Sequence, residues 1–212
     1  MIVILEMIKE NWLLLFVLGI IAGLLLQNFF LRRKIKNYRE LTEMLCFERD
    51  YDILSGLKNR NAFLRYFQQM EENEMKASIL VCDIDGLKLI NDRAGHDAGN
   101  AVIQKAAELI RRACSSEASI FRTGGDEYVI LLPPDWASNR LQSLKEKIQA
   151  EIDFYNKKSL YTPLSLSIGA AAADNLNIKS VYTQADSDMY REKRAHQEAA
   201  YEMLRLALME SE

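Results

Sequence analysis

Residues 119–133 read SIFRTGGDEYVILLP, two runs of strand formers around a pair of glycines, closed by a proline. Ser119–Arg122 and Tyr128–Leu132 lie close enough to pair as a hairpin with GGDE at its turn. The glycines alone would make the turn, so the consecutive carboxylates Asp126 and Glu127 call for a second reason. Outward from the hairpin, SILVCDI (78–84) is a short apolar run and PLSLSIGAA (163–171) alternates, so both read as strands. Helical periodicity fills the gaps. It predicts helices over Asn61–Glu72 (Phe63, Phe67, Met70), Ala98–Cys114 (Val102, Ala106, Ile110, Ala113), Asn139–Tyr155, and from Ser180 onward with Met189 on the apolar stripe. This order predicts an α/β fold of the βαββαβ kind, one sheet covered by helices.

The chain has 212 residues, 49% hydrophobic and 27% charged, enough for one domain with a real core plus an appendage. A formal net charge of -3 gives no basic footprint, so neither DNA nor RNA is expected as a partner. Cys46, Cys82 and Cys114 are odd in number and far apart, which suggests neither a disulfide framework nor a CxxC metal site.

The appendage is N-terminal. Asn11 to Leu31 carries no charge and would span roughly 30 Å as a helix at ~1.5 Å per residue, the thickness of a bilayer's hydrocarbon. It is too long for a signal peptide's apolar region and lacks the small-x-small cleavage pattern. Arg32, Arg33, Lys34, Lys36 and Arg39 crowd its C-terminal flank, whereas Lys9 stands between Glu6 and Glu10 on the other. The excess of inside positive charge therefore places everything after residue 31 in the cytoplasm. The expected organisation is a short external tail (1–10), a transmembrane helix (11–31) in the lipid bilayer, a helical linker (32–51), a catalytic-type domain (52–200) and a helical tail (201–212). Gly19 and Gly23 form GxxxG, read either as a helix-pairing face or as glycines common in membrane helices. In the linker Ile35, Tyr38 and Leu45 have heptad-like spacing, interrupted by Thr42 and Arg49. Ten external residues cannot form a sensor, so a stimulus would arrive through lipid or an unidentified membrane sensor partner.

Asp83 and Asp85 close the first strand, in VCDIDGLK. If that strand neighbours the hairpin, the turn acids approach Asp83 and build a cluster of negative charge. Like charges at close range raise one another's pKa, and a divalent cation relieves this. Hard oxygen ligands suit magnesium, which binds one or two carboxylates together with substrate phosphates. The other reading is ordinary: acids at turns are often solvated or bonded to their own backbone. Gly124 and Gly125 permit unusual dihedrals and let a ligand lie against the backbone.

RTGGDEY resembles the signature of GGDEF-domain diguanylate cyclases. DILSGLKNRNAF (52–63) is similar to that family's opening motif with Ser55 for the usual threonine, DIDGLKLINDRAGHDAGN (83–100) to its central motif, and SLSIGAA (165–171) and ADSDMYREK (185–193) to its later ones. The resemblance covers about residues 52–194 in the family's order, and implies a bacterial enzyme with a nucleotide-cyclase or palm-like sheet. It implies that two facing subunits of a homodimer each hold one GTP and two Mg2+ ions and jointly make cyclic di-GMP. Carried over by position, the metal ligands would be Asp83, the carbonyl of Ile84 and Asp126. Asp126 and Glu127 are the candidate catalytic acids, Asp126 helping to deprotonate the attacking 3'-hydroxyl. Lys88 and Lys193 would grip phosphates and Asn91 would read guanine. His96 lies in the same region with a less defined role, and Gly124 and Gly125 would let the backbone pass close to the nucleotide.

Four departures accompany the match. Asn100 stands where the family has an aspartate accepting from guanine's N–H and amino group; an amide offers one acceptor and a donor, which suits adenine's edge better. Gln197 replaces a phosphate-gripping arginine, with Arg194 nearby as a substitute. Leu87 and Tyr128 replace aromatic side chains, both read as apolar swaps. Ser115–Ala118 reads SSEA where the family's product-inhibition motif is RxxD. Asn100 and Gln197 keep two alternatives open: a degenerate GGDEF domain acting as a non-catalytic nucleotide-binding or signalling module, and a cyclase with relaxed purine choice.

Overall fold

The computed structural model describes residues 2–158, 163–174 and 176–209. It divides into two units, residues up to Phe47 and residues from Glu48 onward. The first is helical: α1 runs Ile2–Asp50 and carries the predicted span and linker as one helix. Its stretch Leu14–Arg39, with mean hydropathy 2.3, is long and apolar enough to cross a membrane and is not buried by protein. Leu25, Phe16 and Trp12 are each about two-thirds exposed to solvent, an arrangement that lipid would relieve.

The second unit is built on four strands, β1 (Ser78–Ile84), β2 (Ser119–Arg122), β3 (Glu127–Leu132) and β4 (Leu166–Ala171), in the order β2-β3-β1-β4 with every pair antiparallel. Helices α2 (Arg60–Glu72), α3 (Leu87–Ala113), α4 (Ser138–Lys158) and α5 (Ile178–Met209) complete the expected βαββαβ order. β1 is buried along its whole length, which is why its sequence is a continuous apolar run instead of an alternation. Leu80, Cys82 and Ile84 face a core shared with Val102, Ile110, Leu144 and Ile148 of α3 and α4. Ile79 and Val81 face a second core with Phe63 of α2 and Val181, Ala185 and Met189 of α5.

Local chemistry sets the element ends. Asn59 caps α2 by accepting from the Ala62 N–H at 2.9 Å, and its amide donates to the carbonyls of Glu48, Arg49 and Tyr51. The predicted helix over Ala98–Cys114 begins earlier, at Leu87, because the chain stays helical on both sides of a kink at Gly95 (φ 84, ψ 166). A side chain there would be strained, and glycine absorbs the bend. Tyr128 is more than an apolar swap: fully buried, it donates its hydroxyl to the Ile103 carbonyl at 3.0 Å and so ties β3 to α3.

Candidate functional site

Strand register brings the acids together. Asp83 of β1 lies opposite Glu127 of β3 on one side and Ser167 of β4 on the other, and the Ile84 N–H donates to the Asp126 carbonyl at 3.0 Å. With a period of two, Asp83 and Asp85 point away from the core that holds Cys82 and Ile84, toward the sheet face that α5 covers. α5 meets both acids one turn apart. Lys193 Nζ lies 2.7 Å from Asp83 Oδ1, and His196 Nδ1 lies 2.8 Å from Asp85 Oδ2.

The two aspartates are satisfied differently. Asp85 accepts from the Ser165 hydroxyl at 2.6 Å, the Ser167 hydroxyl at 2.5 Å and the His196 ring, so both its oxygens are occupied. Because a carboxylate only accepts, His196 must carry its proton on Nδ1 for that bond. Asp83 is 3% exposed, and its Oδ1 has the Lys193 ammonium at ion-pair distance but no well-directed hydrogen bond. Burial pushes the Asp83 carboxyl above the ordinary carboxylate range; Lys193 pulls it back, while the charges of Asp126 and Asp85 add to the rise. Burial by itself would lower the Lys193 ammonium, but Asp83, Asp126 and Asp85 outweigh it and hold Lys193 above its usual value. Pairing alone would lower the acid, so the rise at Asp83 marks desolvation and like-charge repulsion prevailing.

These features fit a hard cation. Among the described residues no three His, Cys, Asp or Glu side chains converge as a metal site. The expected donor set does not need three: it is Asp83, the Ile84 carbonyl and Asp126. A buried carboxylate crowded by neighbouring negative charge is what such a cation would satisfy.

The GGDE turn is held from outside. Arg122, its side chain largely covered, donates to the Gly125 carbonyl at 2.8 Å and pairs with Asp52 Oδ1 at 2.9 Å, linking the turn to the DILSG segment. Burial raises the Asp52 carboxyl, but Ser55 and Arg122 outweigh it and leave it below the usual range. Neither Gly124 nor Gly125 has positive φ, so the expected unusual dihedrals are not used. Space is what Gly124 supplies: a Cβ there would lie 2.8 Å from Glu127 Oε2, because the exposed Glu127 side chain folds back over the turn.

The remaining candidates sit on α3. Asn91 is half-buried and presses against Gly99, where an added Cβ would lie 1.9 Å from Asn91 Oδ1, so the helix parts before and after the kink meet at this pair. Asn100 follows directly and is exposed, as are Lys88 and His96, which make no hydrogen bond or ion pair among the described residues. The histidine engaged with the acid cluster is His196, which sequence reasoning passed over along with Arg122, Ser165 and Ser167. Arg194 does not join the cluster: it is exposed and reaches Glu198 at 3.4 Å. Gln197 is exposed as well. A cleft of about 510 Å³ near Met70, Lys76 and Ile178 lies at the opposite end of β1 and β4, away from these carboxylates.

The diguanylate cyclase GGDEF domain family matches residues 49–199. The chain belongs to that family. The GGDEF chain is 30% identical over 193 residues to diguanylate cyclase DgcP of Escherichia coli, covering 87% of this chain and 56% of that one. It is 30% identical over 152 residues to a membrane protein of Staphylococcus epidermidis, covering 66% and 42%. It thus spans about half the length of these relatives. The coiled coil and GGDEF domain of DgcB from Caulobacter crescentus, a crystal structure in complex with c-di-GMP, matches with TM-score 0.64 and 27% identity over 77% of this chain and 90% of that one. The βαββαβ sheet is accordingly the GGDEF fold. The membrane-protein relative and the apolar α1 together suggest a membrane anchor for the GGDEF domain.

Proposed function

We propose that the chain is a membrane-anchored diguanylate cyclase that condenses two GTP into cyclic di-GMP with release of pyrophosphate. The observation that carries this reading is the convergence of Asp83, Asp126 and Lys193 at one end of the sheet, with Asn91 on the helix that follows β1. Asp83, the Ile84 carbonyl and Asp126 would hold two Mg2+ ions, which supply Lewis acidity at the phosphates. Lys193 and Lys88 bind phosphate oxygens as point charges, and Asn91 orients guanine. Asp126, with Glu127 beside it, takes the proton of the 3'-hydroxyl as that oxygen bonds to the α-phosphorus of the other GTP and pyrophosphate leaves. Repeating the step with the roles exchanged closes the ring, so a homodimer with facing sites is required. A shared bilayer raises the effective concentration of the second domain. We place the GGDEF domain on the cytoplasmic side of the bacterial inner membrane, the orientation that the basic cluster after residue 31 favours.

The test incubates the full chain in detergent with GTP and Mg2+ and identifies products by mass spectrometry. Cyclic di-GMP supports the reading; bound but unchanged GTP would establish a non-catalytic nucleotide-binding module instead, the outcome that exposed, uncharged Gln197 favours.

Two expectations refine the nucleotide site. Gly99→Ala places a methyl where Asn91 Oδ1 now lies and so displaces that side chain. Losing one bond to the base costs about 1–3 kcal/mol, and GTP affinity measured by calorimetry should fall about five-fold to a hundred-fold with little change in melting temperature. Asn100 leaves one guanine donor without an acceptor. Asn100→Asp should therefore raise the GTP-over-ATP turnover ratio by about five-fold or more. Equal ratios in both chains would remove Asn100 from purine selection.

A further inference from the structure

Within the proposed site, Asp83 and Asp85 have unequal access to a new partner. Asp85 is held on both oxygens by Ser165, Ser167 and His196. Asp83 has the Lys193 ammonium against Oδ1, and the Lys193 side chain is 27% exposed at the rim of the site. A buried carboxylate must be compensated by some cation, because leaving it alone costs its full desolvation. An ammonium at 2.7 Å and a divalent ion cannot share that oxygen without strong mutual repulsion. Lysine's flexible stem, however, lets its charge move to any stronger anion within reach.

We propose that Lys193 is exchanged between Asp83 and the nucleotide's phosphates, so that cation binding at Asp83 is gated by nucleotide binding. Alone, the domain uses Lys193 as the internal counter-cation of Asp83 and resists a divalent ion there. A triphosphate draws the ammonium away, and Asp83 Oδ1 is released to the ion that arrives with it. Asp85, locked by its serines and His196, does not offer the released lysine an alternative acceptor. Metal and nucleotide thus enter as one coupled event, which keeps the carboxylates from holding a cation with no phosphate to act on.

This inference rests on the metal reading of the site, and its test separates the two. Mn2+ is titrated into the full chain in detergent, with free ion followed by electron paramagnetic resonance, with and without the GTP analogue carrying a methylene bridge between the α- and β-phosphates. Without nucleotide, Lys193→Gln should bind Mn2+ at least about tenfold more tightly than the unaltered chain, whereas Lys193→Arg, which keeps the charge, should not. With the analogue, the unaltered chain should gain affinity strongly and Lys193→Gln only weakly. Lys193→Gln no tighter than the unaltered chain, with its circular dichroism unchanged, overturns the exchange. Were Asp83→Asn to bind Mn2+ with the analogue as well as the unaltered chain does, the metal reading itself would fail.

Discussion

Asp126→Ala is expected to slow cyclic di-GMP formation by at least about a thousandfold. The side chain would be asked for two contributions, a cation ligand and the proton acceptor for the attacking hydroxyl, and the second alone is worth about 10²–10⁴-fold. The fold should hardly respond, because the link between the turn and β1 at this residue is the Ile84 N–H to Asp126 carbonyl bond, which alanine keeps at its present 3.0 Å. The melting temperature should therefore stay within a few degrees while the mass-spectrometric rate collapses. The removed carboxylate also feeds the rise at Asp83, so its loss should leave Lys193 paired with a less crowded acid. Turnover surviving at a tenth of the original rate would show that the catalytic acids are elsewhere.

Gly169→Ala should be the most damaging small substitution for stability. A Cβ at Gly169 would lie 2.0 Å from the Ala185 carbonyl oxygen and 2.1 Å from the Met189 nitrogen, both backbone atoms of α5. No rotamer change relieves such a contact; helix and strand must separate. Overpacking of a core typically costs about 1–3 kcal/mol, and a backbone clash belongs at or above the top of that range. For a domain of this size, about 3 kcal/mol lowers the melting temperature by roughly 6–12 °C, which calorimetry would register directly. The effect extends to function, since displacing α5 carries Lys193 off Asp83 and His196 off Asp85. A chain that melts normally with alanine at 169 would mean that β4 and α5 are not packed backbone to backbone.

Much of this molecule was readable from local patterns. The hairpin around GGDE, the strand ending at Ile84 and the βαββαβ order follow from runs of strand formers and from helical periodicity, because those signals are repeated along short stretches and survive without tertiary context. The extent of α3 was less readable. Gly95 breaks helical dihedrals at one residue, and a periodicity count treats such a break as an end although the chain resumes its helix.

What surrounds the acids was least legible. His196 meets Asp85 across 111 positions of sequence, and Arg122 reaches Asp52 across 70. Such partners have no spacing rule: His96 shares a motif with the acids, yet the engaged histidine is His196, a hundred residues later.

By itself, then, the order of residues determined which segments become strand or helix, that Asp83 and Asp126 lie at segment ends, and that an uncharged N-terminal stretch suits a bilayer. Antiparallel registry and the return of α5 across the sheet decided the rest: which acid is locked by serines and a histidine, which one shares its charge with a lysine, and why glycine must occupy 169. Those outcomes depend on distances between parts of the chain that only packing brings together, since burial and electrostatic coupling belong to the folded environment and not to any residue alone.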